Sequence, residues 1–198
     1  SGYELPRDIG SRYEYSNLGV GLLGHLLAHV AGMEYEELVR ERITGPLGMD
    51  MTGIELTPEM REWLAVGHSR GRPVSNWDIP TLAGAGALRS NADDMLTFLD
   101  ANVGEPETGL ERAMRLGHRP LVEAGGGNDI GFNWHILTLG DHTVVWHNGG
   151  TGGYRTFAGF DPARDVGVVV LTNSNEGADD IGFHLLNPGM PLLQEPPR

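Results

Sequence analysis

The sequence predicts an α+β protein in which an antiparallel sheet carries flanking helices. Two observations point there. Up to about residue 120 the apolar residues recur at the three- and four-residue spacing of helices. From about 121 to 190 they fall instead in short β-branched and aromatic runs separated by turn residues. Helices, then strands, then one more helix is the order of an α+β domain rather than an alternating α/β one. The 198 residues are expected to form a single domain, long enough to bury a sizeable core. Its helical part covers about 1–120, its C-terminal antiparallel strands and helix about 121–190, and a loose tail 191–198.

The first helix lies in "LGVGLLGHLLAHVAG". Asn17 is the expected N-cap and Gly32 the stop. Leu22, Leu23, Leu26, Leu27 and Val30 share one face, which is expected to meet the core. "EYEELVRERI" makes a second helix with Tyr35, Leu38, Val39 and Ile43 on one side, and "TGPLGMDMTG" is expected to break it. Residues 57–88 are Gly- and Pro-rich and irregular. A third helix lies in "RSNADDMLTFLDANVG", where Ser90 and Asp93 resemble a capping box, and a fourth spans Leu110 to Leu116. "GFNWHILTL", "HTVVWHNG", "YRTFAGFDP" and "DVGVVVLTNS" read as strands of a meander, with turns at Gly140-Asp141 and "DPARD". "ADDIGFHLL" is the last helix, and no internal repeat is visible.

Composition removes several function classes. A net charge of −13 argues against nucleic acid or an anionic membrane surface as partner, because both need a basic footprint. Cys is absent, which excludes disulfides, thiol nucleophiles and thiolate metal sites. All 14 basic residues are Arg, so a Lys base or Schiff base is excluded as well. No run reaches the length of a membrane span, and residues 1–16 are too polar for a signal peptide. The expected setting is soluble: the bacterial cytoplasm, or export with the signal absent from this chain.

Five segments, in order, carry a family resemblance. They are "YEYSNLGVGLLG", "ERITGPLGMDMTG", "AGAGALRSNADDMLTFL", "WHNGGTGGYRTFAGFDP" and "VVVLTNSN". Together they resemble the serine β-lactamase and penicillin-binding-protein superfamily, in its class C and family VIII esterase branch. Tyr15-Ser16-Asn17 stands where that family has Tyr-x-Asn, and His147-Asn148-Gly149 where it has Lys-Thr-Gly. The resemblance implies a truncated β-lactamase-like fold. The family's Ser-x-x-Lys lies well upstream of Tyr-x-Asn, and a chain without Lys cannot contain it. The lost N-terminal helix and strands are expected to leave a sheet edge and apolar surface uncovered, with a homodimer as one remedy.

The resemblance also implies roles. Tyr15 would exchange protons with nucleophile and leaving group, and Asn17 would orient substrate. His147 would replace the cationic Lys, Asn148 would sit beside the substrate, and the Gly150 N–H would supply half of an oxyanion hole. An imidazole titrates near neutral pH and can act as acid, base or ligand. Ser11, Ser16, Ser69, Ser75 and Ser90 stand in no Gly-x-Ser-x-Gly elbow, so none reads as a substitute nucleophile. A divalent metal, zinc or manganese, is the other way to make a nucleophile from water. His25 and His29 are i,i+4 on the first helix, a spacing at which two imidazoles can share an ion. Two solvated His are the blander reading of that pair. His135 and His147 lie on neighbouring predicted strands and approach if the register allows. Asp180 and His184, also i,i+4, read as a surface pair.

The expectation is a hydrolase of small esters or activated phosphoesters that uses metal-activated water. Its partner is a small-molecule substrate. Two alternatives stand beside it. One is a catalytically inactive C-terminal fragment of a serine hydrolase, which an abrupt start just before Tyr15 would fit. The other is a non-enzymatic homodimeric binding module.

Overall fold

The computed structural model describes residue 4, residues 6–140 and residues 142–193. Its centre is a six-stranded antiparallel sheet in simple meander order: β3 (Val122–Glu123), β4 (Asn128–Ile130), β5 (His135–Leu139), β6 (His142–Thr151), β7 (Tyr154–Asp161) and β8 (Val166–Thr172). The four strands expected from sequence are present. β3 and β4 are additional, too short to show a period. Side chains alternate across β6 and β7, so each strand feeds two cores. Val145 and Phe160 face Leu99 and Ile136 on one side, while Val144 and Phe157 face Leu186 on the other. Helices therefore cover both faces, α5 (Ala92–Val103) on the first and α7 (Asp179–Leu186) on the second. The approach of α7 is set by Gly182, where a Cβ would lie 2.2 Å from the Phe157 ring.

The helical part precedes the sheet: α1 (Asn17–Ala31), α2 (Tyr35–Val39), α3 (Gly45–Leu47) and α4 (Pro58–Trp63). Ser16, not Asn17, caps α1, its Oγ accepting from the Gly19 N–H at 3.0 Å. Gly32 stops the helix as expected, in the left-handed region at φ 68°. The packing face of α1 is not the leucine stripe. It is Gly21, Gly24 and Ala28, which let the helix press close: a Cβ on Gly21 would lie 2.7 Å from Leu82, and one on Gly24 2.9 Å from the Tyr35 ring. Leu22, Leu23, Leu26 and Leu27 are each about half exposed, and Val30 is 84% exposed. Hydrophobicity alone pointed to the wrong face, because close approach selects small residues instead.

The second helix also runs further than expected. α2 continues through a π-helical turn at Arg40–Thr44 into α3, and ends only at Gly48, φ 70°. The π turn carries the Gly45 N–H back to the Arg40 carbonyl and so shifts the ladder just before Pro46, which has no N–H to give. The loop after it is tied to α5 through Asp94, whose Oδ2 accepts from the Met51 N–H at 2.9 Å and the Thr52 hydroxyl at 2.6 Å. Asn91 caps α5, while Ser90 Oγ lies 2.7 Å from Thr52 Oγ1 instead of capping. Residues 57–88 are largely irregular apart from α4, a hairpin of β1 (His68–Ser69) with β2 (Arg72–Pro73), and a 3-10 turn at Ala83–Ala85.

α6 (Gly109–Gly117) begins with a full capping box between Thr108 and Glu111. It then closes the end of α5: the Arg115 guanidinium donates to the Asn102 and Val103 carbonyls, placing a cation on the negative end of the helix. His118 follows, with Nε2 2.8 Å from the side-chain oxygen of buried Asn102 and its ring 4.8 Å from that of Phe160. Burial, then the nearby Arg115 charge, push the His118 pKa down to about 4. Between about pH 6.5 and 4 the unfolded chain therefore binds the proton more readily than the folded one. Stability should be at full strength above pH 6.5 and fall as pH drops towards 4, by on the order of 1–2 kcal/mol once partial exposure is allowed for. Chemical denaturation at pH 7.5 and pH 4.5 checks this, and H118Q should flatten His118's share of the difference.

Asp180 and His184 bond to other partners rather than to each other. Asp180 Oδ2 accepts from the Leu193 N–H at 2.9 Å, and His184 Nδ1 lies 2.7 Å from the Met190 carbonyl. Both fasten the segment after α7, so the expected loose tail is held through residue 193. Its last part, 194–198, lies outside the described residues, as does Asp141 of the expected Gly140-Asp141 turn. The "DPARD" turn forms as expected, with Asp165 at φ 54° and buried Asp161 Oδ1 accepting from the Ala163 N–H.

Candidate functional site

β5 stops pairing with β6 at His135 opposite Trp146, but β6 runs on to Thr151. From His147 to Thr151 the strand has β7 on one side only, and among the described residues no strand pairs with the other side. Half of its backbone N–H and C=O groups in this stretch thus turn to an open edge, which can take up an extended or carbonyl-bearing ligand. The edge is held rigid from behind. β6 and β7 turn through Gly152-Gly153 with Gly153 at φ 80°, where a Cβ would strike the Gly67–His68 backbone at 2.5 Å.

His147 sits at the start of this edge, on the face shared with α5. Tyr15, just before α1, brings its ring to 6.3 Å from the His147 ring. His135, at the start of β5, brings its own ring to 5.6 Å from His147 on the same end of the sheet. Trp146 stacks on His135 at 4.8 Å. The side-chain amide of Asn128 reaches His135 Nδ1 at 3.0 Å, while the Asn128 carbonyl oxygen is buried without a partner. Burial pushes the His147 pKa below the ordinary histidine value, with a backbone hydrogen bond at Asn148 partly offsetting it. Burial, then repulsion from His147, push the His135 pKa down as well. Both imidazoles are therefore neutral at physiological pH, each with a lone pair able to accept a proton or an ion.

The remaining expected residues are more scattered. Asn17 opens α1 and is exposed. Asn148 points to the opposite face of the sheet, where its Nδ2 donates to Asp179 Oδ2 at 2.6 Å. Gly150 lies on the open edge opposite Arg155, whose guanidinium fills the space a Gly150 side chain would need. Ser16 is used as a cap and Ser90 bonds Thr52, and among the described residues no serine hydroxyl is hydrogen-bonded to Tyr15 or His147. His25 and His29 are exposed on α1 and line a cleft of about 110 Å³ together with Glu34. Among the described residues no group of three or more His, Asp or Glu is close enough to hold a metal ion.

A larger cavity of about 730 Å³ opens between the helical part and the α5 face of the sheet. His147, Ser90, Asn91, Trp77 and Tyr154 are among its walls, with methionine, leucine and aromatic side chains behind them. Its volume and apolar lining suit a small organic molecule. Sequence reasoning missed the contribution of Trp77 and Tyr154. Nothing in their local pattern links them; the Tyr154 hydroxyl reaches Asn76, the neighbour of Trp77, and Gly152 lies against Trp77.

The sequence matches the family described as Beta-lactamase over residues 2–185. A human protein named beta-lactamase-like 1 is 33% identical over 174 residues, covering 84% of this chain and 35% of that protein. The D-alanyl-D-alanine-carboxypeptidase/endopeptidase AmpH of Escherichia coli K12 is 29% identical over 182 residues, covering 83% of this chain and 46% of its own. Among solved structures, a beta-lactamase/D-alanine carboxypeptidase from Pseudomonas syringae superimposes with a TM-score of 0.81 at 21% identity, over 88% of this chain and 58% of that one. At that identity the likeness speaks for the fold. The chain spans between a third and three-fifths of the length of these relatives.

Proposed function

This chain belongs to the beta-lactamase family, and we propose that it acts there as a hydrolase of small esters or activated phosphoesters with water as the nucleophile. The observation that carries this reading is a pair of neutral imidazoles beside an exposed phenol, at the open end of a sheet, with no serine hydroxyl among the described residues bonded to them. In the proposed reaction His147 takes a proton from water as its oxygen bonds to the carbonyl or phosphoryl centre. The bond to the leaving alkoxide breaks, and the Tyr15 hydroxyl returns a proton to it. The Gly150 N–H on the open edge faces the charge that develops on the substrate oxygen. Incubation with a fluorophosphonate serine reagent tests this. The expected result is undiminished p-nitrophenyl ester hydrolysis and an intact mass without adduct. A stoichiometric serine adduct with loss of turnover would overturn the water mechanism.

A second reading is that these residues work as part of a longer serine hydrolase. The half-exposed leucines of α1 favour it, as does the greater length of the relatives. A reading frame continuous with this one that carries Ser-x-x-Lys upstream would decide for it.

The same leucines and the open edge of β6 support a homodimer. Light scattering behind size exclusion should give twice the chain mass for the wild type and the single mass for L22D/L26D. A monomeric wild type at tens of micromolar would remove the proposal.

A further inference from the structure

The cavity of about 730 Å³ beside His147 is apolar on both of its sides. Its sheet wall is the α5 face of β7 and β8, where Ala158 pairs with Val169 and Thr156 with Leu171. Its helical wall includes Met49, Met60 and Met95, flexible side chains that adapt to varied apolar shapes. Trp63 and Trp77 also line it, yet they are 78% and 57% exposed, so apolar rings flank the opening to solvent. Among the described residues that line the cavity, only Arg89 carries a full charge, and its guanidinium is already engaged. It donates to the Ile54 and Trp77 carbonyls at 2.9 and 3.2 Å and to the Asp78 carboxylate at 3.1 Å. Polar side chains in the wall are hydrogen-bonded as well: Ser90 to Thr52, Asn91 to the Asp94 N–H and Tyr154 to Asn76. An ionic group entering here would shed its water and meet no free counter-ion.

We propose that this cavity holds the hydrocarbon part of the substrate, and that the substrate is an uncharged ester with a medium-length apolar acyl chain. The inference rests on the hydrolase reading above and specifies the substrate class for it. His147 and Thr151, the two ends of the open stretch of β6, both stand in the cavity wall. A chain lying in the cavity can therefore place its ester carbonyl at that edge. At about 30 Å³ per methylene, the share of a water in the liquid, an octanoyl chain fills roughly a third of the cavity and a butyryl chain roughly a sixth. Recognition then comes from burying hydrocarbon rather than from polar contacts, and it grows with chain length. A carboxylate in place of the ester or at the end of the chain loses affinity, because Arg89 has no donor turned to it.

The test is calorimetric titration of the wild type at neutral pH with octanamide, which is uncharged and resists hydrolysis, and with octanoate, its anionic counterpart. The expected result is one octanamide per chain, a negative heat-capacity change on binding, and octanoate at least tenfold weaker. Leu171→Asp places a carboxylate on the sheet wall at a part-exposed position and should weaken octanamide at least fivefold, with folding checked by circular dichroism. The contrast between amide and carboxylate in the wild type decides the matter even if that variant fails to fold. No saturable octanamide binding, octanoate bound as tightly as octanamide, or unchanged affinity in folded L171D would each overturn the proposal. Failure of octanamide to bind a dimeric wild type would mean that a second copy fills the cavity, and would overturn it too. Ester hydrolysis on the same samples separates the two claims. kcat/KM on p-nitrophenyl esters should rise on the order of threefold per methylene, about a hundredfold from butyrate to octanoate. Turnover that is flat across that series, in a protein that does not bind octanamide, refutes the cavity as the acyl site and leaves the hydrolase reading standing. Octanamide bound as described without ester turnover supports the cavity and refutes the hydrolase reading.

Discussion

Truncating Phe157 to Ala should destabilise the protein by about 3–5 kcal/mol, among the largest single-residue effects available in this chain. Phe157 is fully buried on the α7 face of β7. Its ring packs against Val144 and Leu186 and lies 5.1 Å from the Phe183 ring and 6.0 Å from that of Trp146. Gly182 brings the backbone of α7 so close that the ring fills the whole gap between helix and sheet. Removing it leaves a cavity that a sheet held by pairing on both sides of β7 cannot collapse to fill. Urea denaturation, read as a change in midpoint at constant slope, measures the loss. A change below about 1 kcal/mol would mean that α7 does not seat on the sheet as described. The effect reaches the site, because Trp146, which stacks on His135, also rests on Phe157 and Phe183.

Replacing His147 with Ala should lower the hydrolytic rate by roughly 10²–10⁴-fold, the span expected for loss of a positioned acid–base group. Tyr15→Phe should lower it by a similar order with folding unaffected, since Tyr15 is 56% exposed. The two losses should not add when combined, because residues that serve one proton path act as a unit. Initial rates on p-nitrophenyl butyrate for the wild type, both single variants and the double variant check this. Multiplicative losses would mean that Tyr15 and His147 act independently.

The sheet was legible because its strands are long, β-branched and punctuated by turn residues; the register that sets His135 opposite Trp146, one residue from His147, was not. The motif residues Tyr15 and His147 were legible through resemblance, and the structure brings their rings near each other. What sequence did not reveal is physical in kind. The leucine stripe of α1 promised a buried face, yet the helix packs through Gly21, Gly24 and Ala28, because backbone proximity there outweighs side-chain area. The segment "TGPLGMDMTG" promised a helix break, yet a π turn carries the helix on to Gly48. Asn148 stood in the motif, yet strand alternation carries it to the far face and to Asp179. The cavity beside His147 joins residues from Trp77 to Tyr154 that only tertiary contact can assemble.

Turnover by the isolated chain is the most direct test of the proposed hydrolase. Purified 198-residue protein should hydrolyse p-nitrophenyl butyrate or a p-nitrophenyl phosphotriester above the buffer rate, with that rate lost in both Tyr15→Phe and His147→Ala. A wild type with no turnover on either substrate, or turnover that both variants leave unchanged, would contradict it.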